Sequence, residues 1–386
     1  MNKRFVFCAL SLLFIVSPLS AKGLAIKQTT DSLSENACAI VRDYSAVFTQ
    51  TDINNATFSV TKVITILNKQ GEVYGHFYTY GDKFRELKSF SGIIKNVSGT
   101  VVKKIGKKDL TVSSLSEIQS SDDYSITYEC KHPTYPYTVE YTYQEKWKNG
   151  ILSYPAFFPT PGAMISVEKA NYTIELPAGM DLRYNSNFNC AVKEETTGNK
   201  HVYTFSTGGI KAIDREPLAP SSREIYPRVL IGPSDFCYDS HCGNMSDWNN
   251  YGAWISELLK GRDILPNDFI NKLKELTKEA KDDKEKTAIL YKYLQDHSRY
   301  VNISLGIGGY QPFEAASVAK SGFGDCKGLT NLMKAMLKAV DIPSNYCIIS
   351  MNEKDIFPDF PNFNQFNHVI LLVPLKNDSI WLECTS

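Results

Sequence analysis

Near the C-terminal end of this chain stand three residues whose types and order suit nucleophilic acyl chemistry: Cys326, His368 and Glu383. A thiol can attack a carbonyl, an imidazole can take and return the proton, and a carboxylate can orient and charge-stabilise the imidazole. The thiol lies in Gly322-Phe323-Gly324-Asp325-Cys326-Lys327, followed by apolar residues at Leu329, Leu332, Met333, Met336, Leu337 and Val340. That spacing predicts an amphipathic helix, with Asp325 as its N-cap and Cys326 in its first turn. The glycines permit a tight entry. At such a position, unpaired N–H groups and the positive helix end favour thiolate, and the same N–H groups can hold an oxyanion. Free cysteines more often serve as small buried hydrophobes, but Cys326 precedes the apolar stripe and so falls outside that pattern.

The other two residues depend on a hairpin. Asn367-His368-Val369-Ile370-Leu371-Leu372-Val373 is a nearly continuous apolar run, the pattern of a buried central strand with His368 at its entrance. A second strand is expected over 378–384, after Pro374-Leu375-Lys376-Asn377. If those four residues form the turn, Val373 opposes Asp378 and His368 opposes Glu383, on one face. A slip by one residue would send Glu383 to the other face. Gln311 is a candidate second oxyanion donor, since a Gln side chain often fills that role, although its place before Pro312 suits a turn equally well. Asn367 is a candidate assistant to His368, and His297 reads as a helix-end residue.

The elements that must position these residues fall into two groups. Short β-branched and aromatic runs at 58–67, 74–80, 125–128, 137–143, 172–176 and 201–205 read as half-buried strands, many alternating with period two. They predict an antiparallel β-sandwich domain over 22–235, ending where Pro217, Pro220, Pro227 and Pro233 interrupt regular structure. Helices are then predicted over 254–259, 267–280 and 284–296, before the cysteine helix, and a strand over 346–351 after it. The fold class is therefore α+β, with the second domain over 236–386.

Composition bounds the function. The chain has 386 residues, 43% of them hydrophobic, enough for two cores. Lys3 and Arg4, an apolar run and Ser17-Pro18-Leu19-Ser20-Ala21 have the form of a secretory signal peptide over 1–21, too short for a membrane span. Its removal takes two bases and leaves 40 Lys and Arg against 42 Asp and Glu, so nothing favours nucleic acid. A secreted or periplasmic protein with no membrane span after cleavage is expected. The cysteines are too sparse for a disulfide framework; a local Cys237–Cys242 bridge and two free thiols are both open. No metal site and no cofactor fingerprint is recognised, and none is expected.

Gly324-Asp325-Cys326-Lys327 at a helix start, Asn367-His368-Val369 on a strand and Trp381-Leu382-Glu383-Cys384-Thr385 together resemble the transglutaminase-like superfamily, within the papain-like cysteine group. Tyr300-Val301 and Gly306-Ile307-Gly308-Gly309-Tyr310-Gln311-Pro312 resemble bacterial members. Phe157-Phe158-Pro159 and Leu176-Pro177-Ala178-Gly179 resemble an uncharacterised domain that often precedes this module in secreted proteins. The resemblance implies a papain-like α+β fold and a secreted cysteine hydrolase, protease or amidase. Cys326 would form a thioester, His368 would be its base and Glu383 would hold His368. The substrate would be peptide or protein, cell-wall peptide included. Alternatives are a protein-glutamine acyltransferase, and a non-catalytic binding protein with a relic triad. Two positions depart from the family: Asp is usual where Glu383 stands, and an acid where Gly328 stands. The chain also stops three residues after Glu383, whereas the family's sheet usually continues, so a piece of a longer protein is expected.

Overall fold

The computed structural model describes residues 32–114, 120–351 and 356–385; the expected signal peptide lies outside them. The first domain is organised by an eight-stranded sheet in the order Ala191–Thr197, Lys200–Ile210, Ile165–Pro177, Ala39–Asp52, Asn55–Ile66, Tyr137–Lys148, Arg85–Lys95 and Val101–Gly106. Period-two alternation explains its two faces: Tyr137, Val139, Tyr141 and Trp147 of one strand point into the core while their neighbours are more exposed. Burying each such large apolar side chain contributes roughly 1.5–3 kcal/mol.

Two short sheets cover that face. In one, Phe77–Gly81, Tyr124–Tyr128 and Thr111–Ser114 pair, and the Phe77 ring lies 4.5 Å from Phe90 and 5.5 Å from Tyr141 of the large sheet. In the other, Leu182–Ser186 pairs with Val229–Pro233, and Tyr184 stands 5.3 Å from Phe205. The β-rich expectation holds, with one change in pairing. Ala39–Asp52, a central strand absent from the predicted set, runs parallel to Ile165–Pro177, so the sheet is mixed. The expected strand over 74–80 is also divided: Glu72–Gly75 makes a helical turn, and pairing starts at Phe77.

In the second domain, helices Trp248–Leu259, Asn267–Thr277, Asp283–His297, Ala315–Ser321 and Cys326–Lys338 accompany a sheet whose central strand His368–Pro374 lies between Asn345–Ile349 and Ser379–Leu382. The cysteine helix packs against that sheet through Leu329, Met333, Met336 and Leu337, with Leu371 and Val373 in the same core. It is buried on nearly every side rather than along one stripe. Its buried Asn331 is satisfied on the donor side: Nδ2 donates to the Arg262 carbonyl at 2.8 Å and the Phe313 carbonyl at 3.3 Å.

Between the domains a third, aromatic core gathers Leu152, Phe236, Trp254, Tyr251 and Phe363. The hairpin Asp235–Tyr238/His241–Asn244 is closed by a Cys237–Cys242 disulfide and extends the pair Gly150–Ile151 of the first domain. Tyr238 on that hairpin touches Phe84 on one side and Tyr310 on the other. Rings from both halves of the chain thus fix the floor of the cleft described next.

Candidate active site

Asp325 begins the site. Its backbone is extended and its Oδ1 accepts the Gly328 N–H at 2.8 Å, so it is the N-cap and Cys326 is the first helical residue. The other carboxylate oxygen pairs with the Lys327 ammonium, and both side chains are almost wholly buried. The thiol therefore sits between a cap and an internal ion pair, on backbone that cannot easily shift. Gly322, at φ 71°, ends the preceding helix in the left-handed region and turns the chain into the Phe323-Gly324 pair that runs beside Arg299–Tyr300.

His368 is the first residue of the central strand and is buried. Its Nε2 lies 2.7 Å from Glu383 Oε2, leaving Nδ1 as the ring nitrogen for another partner. The backbone N–H groups of Lys327 and of the next strand residue, Val369, lie near enough the Cys326 sulfur to favour its thiolate. Cys326, His368 and Val369 line one cleft. His368 and Glu383 are thus in contact, and Cys326 lines the same cleft as His368.

The route to that arrangement differs from the expected register. Leu371 opposes Leu382 and Pro374 opposes Ser379, because Leu375 and Asp378 close the turn, with the Leu375 N–H bonded to the Asp378 carbonyl at 2.9 Å. Extrapolated, this register sets His368 across from Thr385 and makes Glu383 its diagonal neighbour. A two-residue shift preserves the face. Thr385 then serves the carboxylate: its hydroxyl and N–H reach Glu383 Oε1 at 2.6 and 3.0 Å. Burial pushes the Glu383 carboxyl up, but the bonds from Thr385 and His368 outweigh it and hold the group below its usual range.

The thiol behaves otherwise than its helix position predicts. Burial pushes Cys326 up, and the adjacent Asp325 charge adds to this; the Lys327 ammonium and the two N–H groups only reduce the shift. Desolvation of a thiolate under a protein wall exceeds the benefit of one helix end. A sulfur whose ionisation is held above its usual range needs a base to take its proton during attack.

Gln311 does not line the cleft. Its N–H bonds to the Ile307 carbonyl in the turn that follows Gly306–Gly309. Tyr310, its neighbour, faces inward instead. That turn is clamped to the first domain: Asp239 Oδ2 accepts the Lys83 ammonium at 2.9 Å and the Ile307 N–H at 3.0 Å. Gly306 is at φ 51°, and a Cβ there would lie 2.6 Å from Asp239 Oδ2, which accounts for the glycine. Asn367 Oδ1 accepts the Met351 N–H at 2.9 Å, so it fixes the loop before His368. His297 Nδ1 lies 2.9 Å from the Tyr293 carbonyl at its helix end.

With this geometry in place, the comparisons are specific. A model of the transglutaminase-like superfamily matches residues 270–385, and one of a domain of unknown function with a solved structure, DUF3857, matches residues 54–214. The C-terminal domain is transglutaminase-like. A crystal structure from Parabacteroides distasonis ATCC 8503, named provisionally as a protease, superposes with a TM-score of 0.68 at 17% identity, over 89% of this chain and 67% of its own; it shares the fold. An M1 zinc metallopeptidase from Deinococcus radiodurans (TM-score 0.25, 8% identity, 52% of this chain and 44% of its own) and a Legionella pneumophila protein named provisionally as nutrient-binding (TM-score 0.27, 10%, 69% and 82%) are too distant to support an inference. Comparison with curated proteins returns no match.

The cleft of the transglutaminase-like domain is not made by that domain alone. It encloses about 410 Å³, and its far wall carries Tyr80, Asp82, Arg85, Asp122, Asp123 and Trp147 of the β-rich domain. Arg85 lies 4.0 Å over the Tyr80 ring and 3.9 Å over that of Trp147, whose Nε1 is held by buried Glu145 at 3.0 Å. Sequence reasoning missed this wall. The pairing of Arg85 opposite Trp147 is a non-local register fact with no local signature.

Proposed function

We propose that the protein is a secreted cysteine hydrolase acting on peptide or protein amide bonds through a thioester on Cys326. The observation that carries this reading is the convergence in one cleft of a thiol at a helix start and an imidazole whose far nitrogen is 2.7 Å from Glu383. In the first half-reaction His368 Nδ1 takes the thiol proton as Sγ bonds to the substrate carbonyl carbon, and the carbonyl π pair moves onto oxygen. Collapse restores the C=O bond and breaks the C–N bond, and the imidazolium delivers its proton to the departing amine. Water then repeats the sequence on the thioester, releasing the acid and the thiol. Glu383 keeps the imidazole oriented and balances its charge in both halves.

One further feature supports the setting. The Cys237–Cys242 bridge suits an oxidising compartment, in keeping with the leader expected over 1–21. Among the described residues no helix is long and apolar enough to cross a membrane.

The test is turnover of casein, in parallel with incorporation of dansylcadaverine. New amino termini that vanish in Cys326→Ala are expected. Dansyl incorporation without new termini would assign the thioester to amine transfer, and neither activity would leave a binding protein.

A further inference from the structure

The chemistry proposed above needs two hydrogen bonds on the oxyanion formed at the substrate carbonyl. The Cys326 N–H, first in its helix and without an intrahelical partner, supplies one. Gln311 is outside the cleft and cannot supply the second. Tyr346 is inside it. The residue belongs to the strand Asn345–Ile349, directly opposite Leu371, whose side chain is buried in the core shared with the cysteine helix. Paired residues share a face, so the Tyr346 ring lies on the helix side of the sheet. It joins Cys326, Lys327 and His368 in lining the cleft, and its ring packs on the aromatic floor.

The Tyr346 hydroxyl is buried and has no hydrogen-bond partner among the described residues. Leaving a buried donor unpaired costs about 1–3 kcal/mol, whereas Phe in its place would avoid that cost at nearly the same volume. Tyr172 carries a comparable orphan, but deep in the core of the β-rich domain, where no reacting group lies. Among the described residues, Tyr346 carries a buried hydroxyl without a partner and lines the same cleft as the thiol. Burial raises the phenol well above its usual range, so it keeps its proton and can donate it in a hydrogen bond at neutral pH.

We propose that Tyr346 is a catalytic residue, the side-chain donor to the oxyanion. The inference rests on the cysteine hydrolase reading. As the Sγ–C bond forms and the carbonyl pair moves to oxygen, the phenol O–H hydrogen-bonds to that oxygen and keeps its proton; on collapse the bond is released. The partner missing in the resting enzyme is the reacting substrate.

Two reagents separate this role from others. Iodoacetamide alkylates sulfur by displacement and forms no oxyanion; p-nitrophenyl acetate acylates it through one. In Tyr346→Phe, acylation of Cys326 should slow by about 10²-fold or more, alkylation should stay within about twofold, and the thermal midpoint should hold or rise. Unchanged acylation, or equal slowing of both reactions, would overturn the assignment. Should that variant not fold, replacing Tyr346 alone with a ring-fluorinated tyrosine keeps its shape; the acylation rate should change while alkylation does not, and equal responses overturn the proposal. Wild-type protein in which iodoacetamide shows no preference for Cys326 would remove the hydrolase reading itself, a result distinct from the failure of Tyr346.

Discussion

His368 and Glu383 meet on a diagonal: the strand register makes the carboxylate a neighbour two positions removed, and the contact closes at 2.7 Å. Diagonal partners start about 7–8 Å apart at Cα, a span that a glutamate side chain covers and an aspartate falls short of by one methylene.

Glu383→Asp should therefore lose activity nearly as far as Glu383→Ala, about 10²-fold, while Glu383→Gln, which keeps an acceptor at the right reach, should lose about 10-fold. Steady-state kinetics on a fluorogenic peptide amide gives the order. An active Glu383→Asp enzyme would show that the hydrogen bond does not depend on reach.

The raised Cys326 thiol sets the pH dependence. A group held above its free value stays protonated to higher pH, so thiolate accumulates only in the alkaline range. Alkylation of Cys326 by iodoacetamide should keep climbing past neutrality rather than level off there. His368→Ala should abolish the reactivity seen near pH 7 and leave the alkaline limb. A plateau already complete at pH 6 would point to a preformed thiolate instead.

Asp325 and Lys327 form a buried pair beside the sulfur. Asp325→Ala strands the ammonium and removes the cap, and should cost about 3–5 kcal/mol. Adding Lys327→Met should recover most of this, since an apolar side chain of similar volume replaces the stranded charge. Urea denaturation of the single and double variants measures both.

The Cys237–Cys242 bridge closes a short hairpin under the cleft. The paired substitution Cys237→Ser and Cys242→Ser should lower stability by ~2 kcal/mol on loop entropy. Because Tyr238 on this hairpin touches both Phe84 and Tyr310, KM should rise more than kcat falls. Equal Tm values for the two proteins would show that the bridge does not form.

Much of the site was legible because it is local. Asp325 as a cap, Cys326 in a first turn and the apolar spacing that follows are one continuous stretch, and capping and periodicity are short-range physics. The face shared by His368 and Glu383 was legible for a weaker reason. Parity survives a shift of two residues, so the expected turn was wrong by two and the pairing of faces still held. What sequence did not disclose is non-local. Thiol ionisation was misjudged because the helix end is visible in the sequence and the covering wall is not. Tyr346 reads as one aromatic among many until its strand is seated on the cysteine helix. Ala39–Asp52 carries Tyr44, Ala46 and Phe48 at alternate positions, the local pattern of a strand; its parallel partner, 126 residues away, is beyond any local pattern.

The most direct measurement is the site of acylation. After brief exposure to p-nitrophenyl acetate, quenching in acid and peptide mapping by mass spectrometry, the acetyl group should reside on Cys326 in the native protein and be absent in His368→Ala. Acetyl spread over Cys326, Cys347 and Cys384 alike, or unaffected by loss of the imidazole, would contradict a thiol activated by His368.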